Sequence, residues 1–548
     1  MLNTSRLRRP TPAAYGGALD PDARSGLSRA LSLFASALLA AVLSACGTLP
    51  PGIVRTPSTA LAPSPDSTLV KIAKASAPSD DESGFRLMPL GVYSLDARIQ
   101  LAKRAQRSLD VQYYVIENDA TGRLLLRQLR DAALRGVRVR LLVDDLYTTH
   151  TDGLLRSLSA FPNVQVRLFN PFCCARSGGI PTRYAASIFD FGRLNHRMHN
   201  KLFIADGVMS VVGGRNIADE YFLRHAEQNF VDMDAFVAGA VVTDLAAIFD
   251  RYWNSEVVVP IEAVGAPLAD AATARKAFDT EIETSPQAAP LDPPSVDLLG
   301  YGPISEDLDD GRLGLIWGKA RAISDPPEKL SKKTVEEATA SSVTQDVRMT
   351  IWQAKSELVI TSPYLIPGKM GLEAIKALRE RNVAVTVVTN SLAATDEPLV
   401  HTGYSRYRYD MLLAGVDIYE LSPSLTQRTK RLGMFGSSLG RLHAKTAVVD
   451  RRTVFIGSMN LDPRSASLNT ELGIFVDSPQ LAKELLRVIN ISKLESAYRL
   501  RLQPNGPGIQ WLTMEGDAEK VLGVEPESTP LLRLHNIIFG LFVPEQLL

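Results

Sequence analysis

The chain has 548 residues, 45% of them hydrophobic and 22% charged. That is an ordinary globular composition with room for two large domains or one duplicated unit. Sixty basic and sixty acidic residues cancel, and from Cys46 onward the count is 55 basic against 58 acidic; proteins that live on nucleic acid usually carry a basic surplus, so no nucleic-acid partner is expected. The three cysteines, Cys46, Cys173 and Cys174, form no Cys-x-x-Cys pair, which argues against a zinc site or a disulfide framework.

In chain order, residues 1–46 read as an address. Arg24 and Arg29 precede an uncharged run over residues 30–45 that ends Leu43-Ser44-Ala45-Cys46-Gly47. A basic flank, an apolar core and small residues before a cut describe an export signal. The run is shorter than the roughly 20 residues a membrane span needs. The ending resembles a bacterial lipoprotein box, in which Cys46 would be lipidated. Gly47 after it favours sorting to an outer membrane facing the periplasm. Residues 47–84 are rich in Pro, Ser, Thr and Ala and read as a tether without a core.

The first body segment spans residues 85–265. Residues 109–116 read as a strand, 122–134 as an amphipathic helix ended by Gly136, and 137–143 as the next strand. Residues 266–311 form a connector with room for one helix. The second body segment, 312–500, repeats the order: strand 358–366, helix 371–380, strand 383–388. Strand–helix–strand repetition predicts an α/β fold of two homologous sandwich halves related by a pseudo-twofold. Residues 501–548 form a tail whose apolar run, 537–543, reads either as packed on the body or as a membrane contact.

Each half carries one copy of a spaced pattern. The first has His199, Lys201, Asp206, Gly213, Gly214 and Asn216; the second has His443, Lys445, Asp450, Gly457, Ser458 and Asn460. The two copies lie 244 residues apart, close to the offset of 246 between the strands that follow the helices. Residues i and i+2 of a strand share a face, so each His projects with its Lys. A Lys among apolar neighbours is costly unless an anion or carboxylate meets it. Asp206-Gly207 and Asp450-Arg451 read as two-residue hairpin loops, which would place Gly214 opposite His199 and Ser458 opposite His443. On that geometry Asp206 and Asp450 are too far along to touch their histidines and take an architectural role.

Two imidazoles, two ammonium groups and two amides in one site suit phosphoryl transfer without metal or cofactor. One neutral His attacks phosphorus and the other serves as general acid and base. Lys201, Lys445, Asn216 and Asn460 would hold the non-bridging oxygens.

These motifs resemble the phospholipase D superfamily, whose signature is His-x-Lys, four residues, then Asp, with a downstream Gly-Gly/Ser-x-Asn. The resemblance implies one active site between the halves, with His199 as nucleophile and His443 as acid and base. It also implies a carboxylate orienting each His: Glu471 for His443, and Asp234, with Asp232 as competitor, for His199. The extension Asn460-Leu461-Asp462-Pro463-Arg464-Ser465 looks like bacterial cardiolipin synthases, and residues 389–396 and 401–404 look like their C-type branch. The implied function is a phosphatidyltransferase working on phosphatidylglycerol, with phosphatidylethanolamine as a further substrate, at a membrane surface. The alternatives are a phospholipase D releasing phosphatidic acid, a nuclease or other phosphodiesterase, and a silent envelope lipoprotein.

Overall fold

Alternation of apolar residues decides which way each strand faces. Along Leu202–Ala205, Leu202 and Ile204 enter one core while Phe203 and Ala205 enter another, so the strand is covered on both sides. The computed structural model describes residues 49, 52–176, 178–265, 270–286, 294–331, 337, 342–428, 438–515 and 517–545. Cys46 and the segment read as an export signal lie outside them.

The first half orders its strands Val258–Pro260, Val164–Phe169, Arg138–Asp144, Ser108–Tyr113, Leu202–Ala205, Met209–Gly213, Asp234–Gly239 and Ser83–Met88. Two neighbouring pairs, centred on Arg138–Asp144, are parallel and the rest antiparallel. The second half has the same plan from its own edge: Ile316–Ser324, Leu472–Asp477, Thr453–Gly457, Thr446–Val449, Glu357–Thr361, Ala384–Asn390, Asp417–Leu421 and Ala497–Leu502. Ile316–Ser324 joins the two. Its first residues pair with Ser83–Phe85, and Lys319–Ser324 pair with Leu472–Asp477. Helices Val241–Trp253 and Pro479–Glu495 pack in a core that residues of both halves share. The pseudo-twofold of paired sandwiches is therefore the observed architecture.

Four expectations need correction. The supposed tether is ordered from residue 52 on. It includes helix Thr68–Ser76, which buries Leu69, Val70 and Ile72. Its extended part has no core of its own, but hydrogen bonds hold it to the first half: the Arg55 side chain donates to the Val258 carbonyl, the Ser58 carbonyl accepts from Arg140 and Asn254, and the Ser58 hydroxyl accepts from Trp253. Among its described residues the connector holds two helices, Ala271–Thr284 and Ile304–Asp310, tied down by buried Phe278, Ile282, Ile304 and Leu308. The tail begins by extending the sheet with strands Ile509–Glu515 and Ala518–Leu522. Its helix Pro530–Phe542 then follows, with Arg406 of helix Pro398–Leu413 donating to the Gly540 and Val543 carbonyls.

The fourth correction is the hairpin register. Ala205 pairs with Met209 and Val449 with Thr453, so each loop has three residues. Asp206 and Gly207 both take positive φ, as do Asp450 and Arg451, closing a tight turn that one extra residue follows before pairing resumes. The ladder starts at Leu202 and Thr446, so neither Gly214 nor Ser458 faces its histidine across a strand pair.

Candidate active site

Asp206 and Asp450 build the floor beneath the site and stay out of it. The Asp206 carboxylate accepts from the backbone N–H groups of Gln106, Arg107 and Ser108 and from the Ser67 hydroxyl. Asp450 accepts from the N–H groups of Lys355, Ser356 and Glu357 and from the Ser356 hydroxyl. Each thereby fixes the start of the strand beside its His-x-Lys strand. Burial pushes the Asp450 carboxyl up, but these hydrogen bonds outweigh it and hold the group below the usual range.

The histidines are oriented across the halves. Met198 bridges to Thr470 in parallel, with the His199 N–H donating to the Thr470 carbonyl at 2.9 Å. That places the Glu471 carboxylate 3.0 Å from His199 Nδ1. The mirror arrangement uses strands Gln228–Val231 and Leu439–Leu442, which pair in parallel. The His443 N–H donates to the Val231 carbonyl at 2.8 Å, and Asp232 lies 2.7 Å from His443 Nδ1. The carboxylate assignments from sequence are thus corrected: Glu471 serves His199, and Asp232 serves His443. Asp234 serves neither. It accepts from Ser94 at 2.5 Å and Arg98 at 3.0 Å, locking helix Gly91–Arg104 to the sheet.

The small motif residues seat the carboxylates. A Cβ on Gly214 would stand 2.1 Å from an Asp232 oxygen, so only glycine admits that side chain. At the matching position the Ser458 hydroxyl donates to Glu471 at 2.5 Å, and Ser465 donates to its other oxygen at 2.8 Å. Tyr114 meets His199 edge-on at 5.1 Å, and Tyr221 does the same to His443 at 5.1 Å. No motif announced either tyrosine.

Lys201 and Lys445 are almost fully buried, and each donates back to the carbonyl of its own histidine. Asn216 donates to the Tyr221 hydroxyl at 2.9 Å. One buried amide oxygen of Asn216 and one of Asn460 find no partner among the described residues. Such atoms call for a ligand group or water. His196 turns away from the site, its Nδ1 against the Leu468 carbonyl at 2.9 Å.

Burial sets the protonation of the pair. It drives His199 down to about 4, with Lys201 and Lys445 helping and Glu471 opposing. His199 is therefore neutral at pH 7. Its Nδ1–H donates to Glu471, which leaves the Nε2 lone pair free. Burial and then Lys445 also lower His443, against the pull of Asp232. Asp232 would be raised by burial, but His443, Lys445 and Arg215 hold it ionised at about 2. Burial also brings Lys201 down to about 7 and Lys445 to about 8.

Residues 98–253 and 347–491 match the family described as "Cardiolipin synthase, PLD-like domain". The chain is 40% identical over 455 residues to cardiolipin synthase C of Escherichia coli strain K12, covering 81% of this chain and 93% of that protein. It belongs to the phospholipase D superfamily, among the cardiolipin synthase-like proteins. It is also 26% identical over 432 residues to cardiolipin synthase A of Pseudomonas fluorescens, covering 77% of this chain and 72% of the relative. In fold it resembles the crystal structure of phosphatidylserine synthase from Haemophilus influenzae, with a TM-score of 0.54 at 14% identity over 85% of this chain and 95% of that one.

The crossed pairing predicts that Asp232→Asn and Glu471→Gln each cut kcat by about 10³-fold or more with little change in melting, because the amide no longer fixes the imidazole tautomer. Asp234→Asn should instead lower the melting temperature, having broken the Arg98 pair. A rate loss confined to Asp234→Asn would contradict the assignment.

A second prediction concerns pH. In the free protein the His443 proton is lost below the ordinary imidazole range, and as pH rises through and past neutrality the Lys201 and Lys445 charges follow. The ratio kcat/KM, which reads the free protein, should fall there. Bound phosphate favours all three charged forms, so kcat should hold to higher pH. A Lys445→Arg variant should shift part of the limb upward. Superimposable basic limbs in kcat and kcat/KM would show that these groups do not titrate as described.

Proposed function

We propose that this protein is a phosphatidyltransferase that makes cardiolipin from phosphatidylglycerol, through a covalent intermediate on His199. The observation that carries the reading is the crossed pair of buried imidazole–carboxylate contacts, which gives one site two oriented histidines. Similarity to cardiolipin synthases supports the substrate class.

In the first step the His199 Nε2 lone pair forms a bond to phosphorus while the bond to the departing alcohol breaks. Protonated His443 gives its proton to that alcohol. In the second step a headgroup hydroxyl of another phosphatidylglycerol loses its proton to His443 and attacks phosphorus, releasing His199. One phosphodiester replaces another, so the exchange needs no external energy source. Lys201, Lys445 and the amides of Asn216 and Asn460 meet the non-bridging oxygens where negative charge builds up. Asp232 stabilises the imidazolium of His443, and Glu471 that of phosphorylated His199.

Purified protein with phosphatidylglycerol in mixed micelles, alone and with phosphatidylethanolamine, should yield cardiolipin as the main product. A radiolabelled phosphatidyl-enzyme should vanish in His199→Ala and persist in His443→Ala. Phosphatidic acid as the dominant product under both conditions would make the protein a phospholipase D, and label retained in His199→Ala would reverse the histidine roles.

We further propose that Cys46 carries lipid and holds the protein in the bacterial cell envelope, facing the periplasm and favouring the outer membrane. The residues Leu43-Ser44-Ala45-Cys46-Gly47 support this, and no described helix is long and apolar enough to cross a membrane. Intact-mass analysis should show an acylated mature chain that Cys46→Ala abolishes. Equal mass and membrane fraction in the two proteins would refute lipidation.

A further inference from the structure

Behind the second motif lies a cavity of about 820 Å³ that the chemistry above leaves unused. That volume falls within the roughly 300–1,000 Å³ range of small-molecule sites. The two halves differ beside it: helix Gly91–Arg104 has 14 residues, whereas its counterpart Val343–Trp352 has 10.

The interior is apolar. Leu358 and Ile360 of the sheet form one wall, and Ile375 and Leu378 of helix Gly368–Glu380 another. The inner end is closed by Met459 and Leu461, the two neighbours of Asn460. The exposed lining residues Trp352, Lys369 and Met370 mark the opening.

Four charged side chains line the cavity, two of each sign. Half-buried Arg348 lines the cavity, and no ion pair or hydrogen bond engages it among the described residues. Exposed Lys369 adds a second positive charge. Two carboxylates also line the wall, and both have donors: Asp462 accepts from the Ser465 N–H at 2.6 Å and Glu545 from the Tyr407 hydroxyl at 2.7 Å. A half-buried guanidinium beside an apolar hole calls for an anion attached to a hydrocarbon.

We infer that this cavity is a second lipid site, separate from the phosphorus-binding site, that takes one acyl chain bearing an anionic head. The chain lies in the apolar interior against Met459 and Leu461, and the head meets Arg348 and Lys369 at the opening. The site stands independently of whether His199 turns over phospholipid, because none of the groups that hold its ligand is a catalytic residue.

The test is binding without turnover, on the purified full-length protein. A dansyl-labelled fatty acid should bind saturably at one site, with enhanced fluorescence. Oleate and lysophosphatidylglycerol, the free-acid and phospholipid forms of the same chemistry, should both displace it; neutral monoolein should displace it poorly. Whichever anion competes at lower concentration names the source of the head. Binding should survive His199→Ala, fall about tenfold or more in Ala374→Trp, which fills the cavity from a half-exposed helix position, and fall about fivefold in Arg348→Ala. Circular dichroism melts check that both variants fold, and Arg348→Ala, at the opening, keeps the test available should Ala374→Trp unfold. Unchanged affinity in folded variants, equal displacement by monoolein, or binding that appears only after residues 546–548 are removed would each overturn the proposal.

Discussion

Two carboxylates buried beneath two imidazoles make the halves of this molecule interdependent. Asp232 and Glu471 are fully shielded from water, and each finds its histidine on the opposite half. Taking away the histidine of either pair would leave a buried carboxylate short of a donor, which typically costs about 1–3 kcal/mol or more. Each half thus orients the histidine of the other. The parallel strand pair Gln228–Val231 and Leu439–Leu442, the bridge between Met198 and Thr470, and the shared core all hold that register.

The same constraint explains why small residues recur in the motif. Gly214 has no side chain because Asp232 passes where a Cβ would be. Ser458 keeps a hydroxyl because Glu471, one methylene longer, needs a donor there. Arg215 ties the Asp232 carbonyl and the Met88 and Pro89 carbonyls into one cluster, so the backbone carrying the carboxylate is fixed as well. Chemical reactivity then depends on burial: the same exclusion of water that keeps His199 neutral also lowers the lysines to the edge of their charged range.

Much of this was legible in the chain itself. Spacing of His, Lys and Asn singled out the groups gathered at the candidate site and the duplication, and strand–helix–strand order identified the two sandwiches. What local pattern could not decide was which carboxylate goes where. Asp232 and Asp234 are two residues apart with the same chemistry, and choosing between them requires knowing that Val231 pairs with the other half. Glu471 was recognised as a support but assigned to its own half, since sequence proximity carries no information about a crossed interface. The Pro-rich segment misled in another way. Composition reported that it lacks a core, which is true of its extended part, but the donors that fix it, Arg140, Asn254 and Trp253, lie far along the chain.

That docked segment has a geometric corollary for a protein attached through Cys46. Arg55 is already pinned to the Val258 carbonyl at 2.9 Å. Eight residues lie between it and Cys46, Leu49 and Ile53 among them already pack on the core of the first half, and a fully extended chain spans at most about 3.3–3.6 Å per residue, so the leash reaches no more than roughly 30 Å. A globule of this size on so short a leash could neither rotate freely nor patrol a wide volume. The edge strand Val258–Pro260 would stay close to the bilayer, and the lipids within reach would be those directly beneath it. The segment that reads as a flexible spacer would then act as a mooring, fixing which side of the molecule faces the membrane.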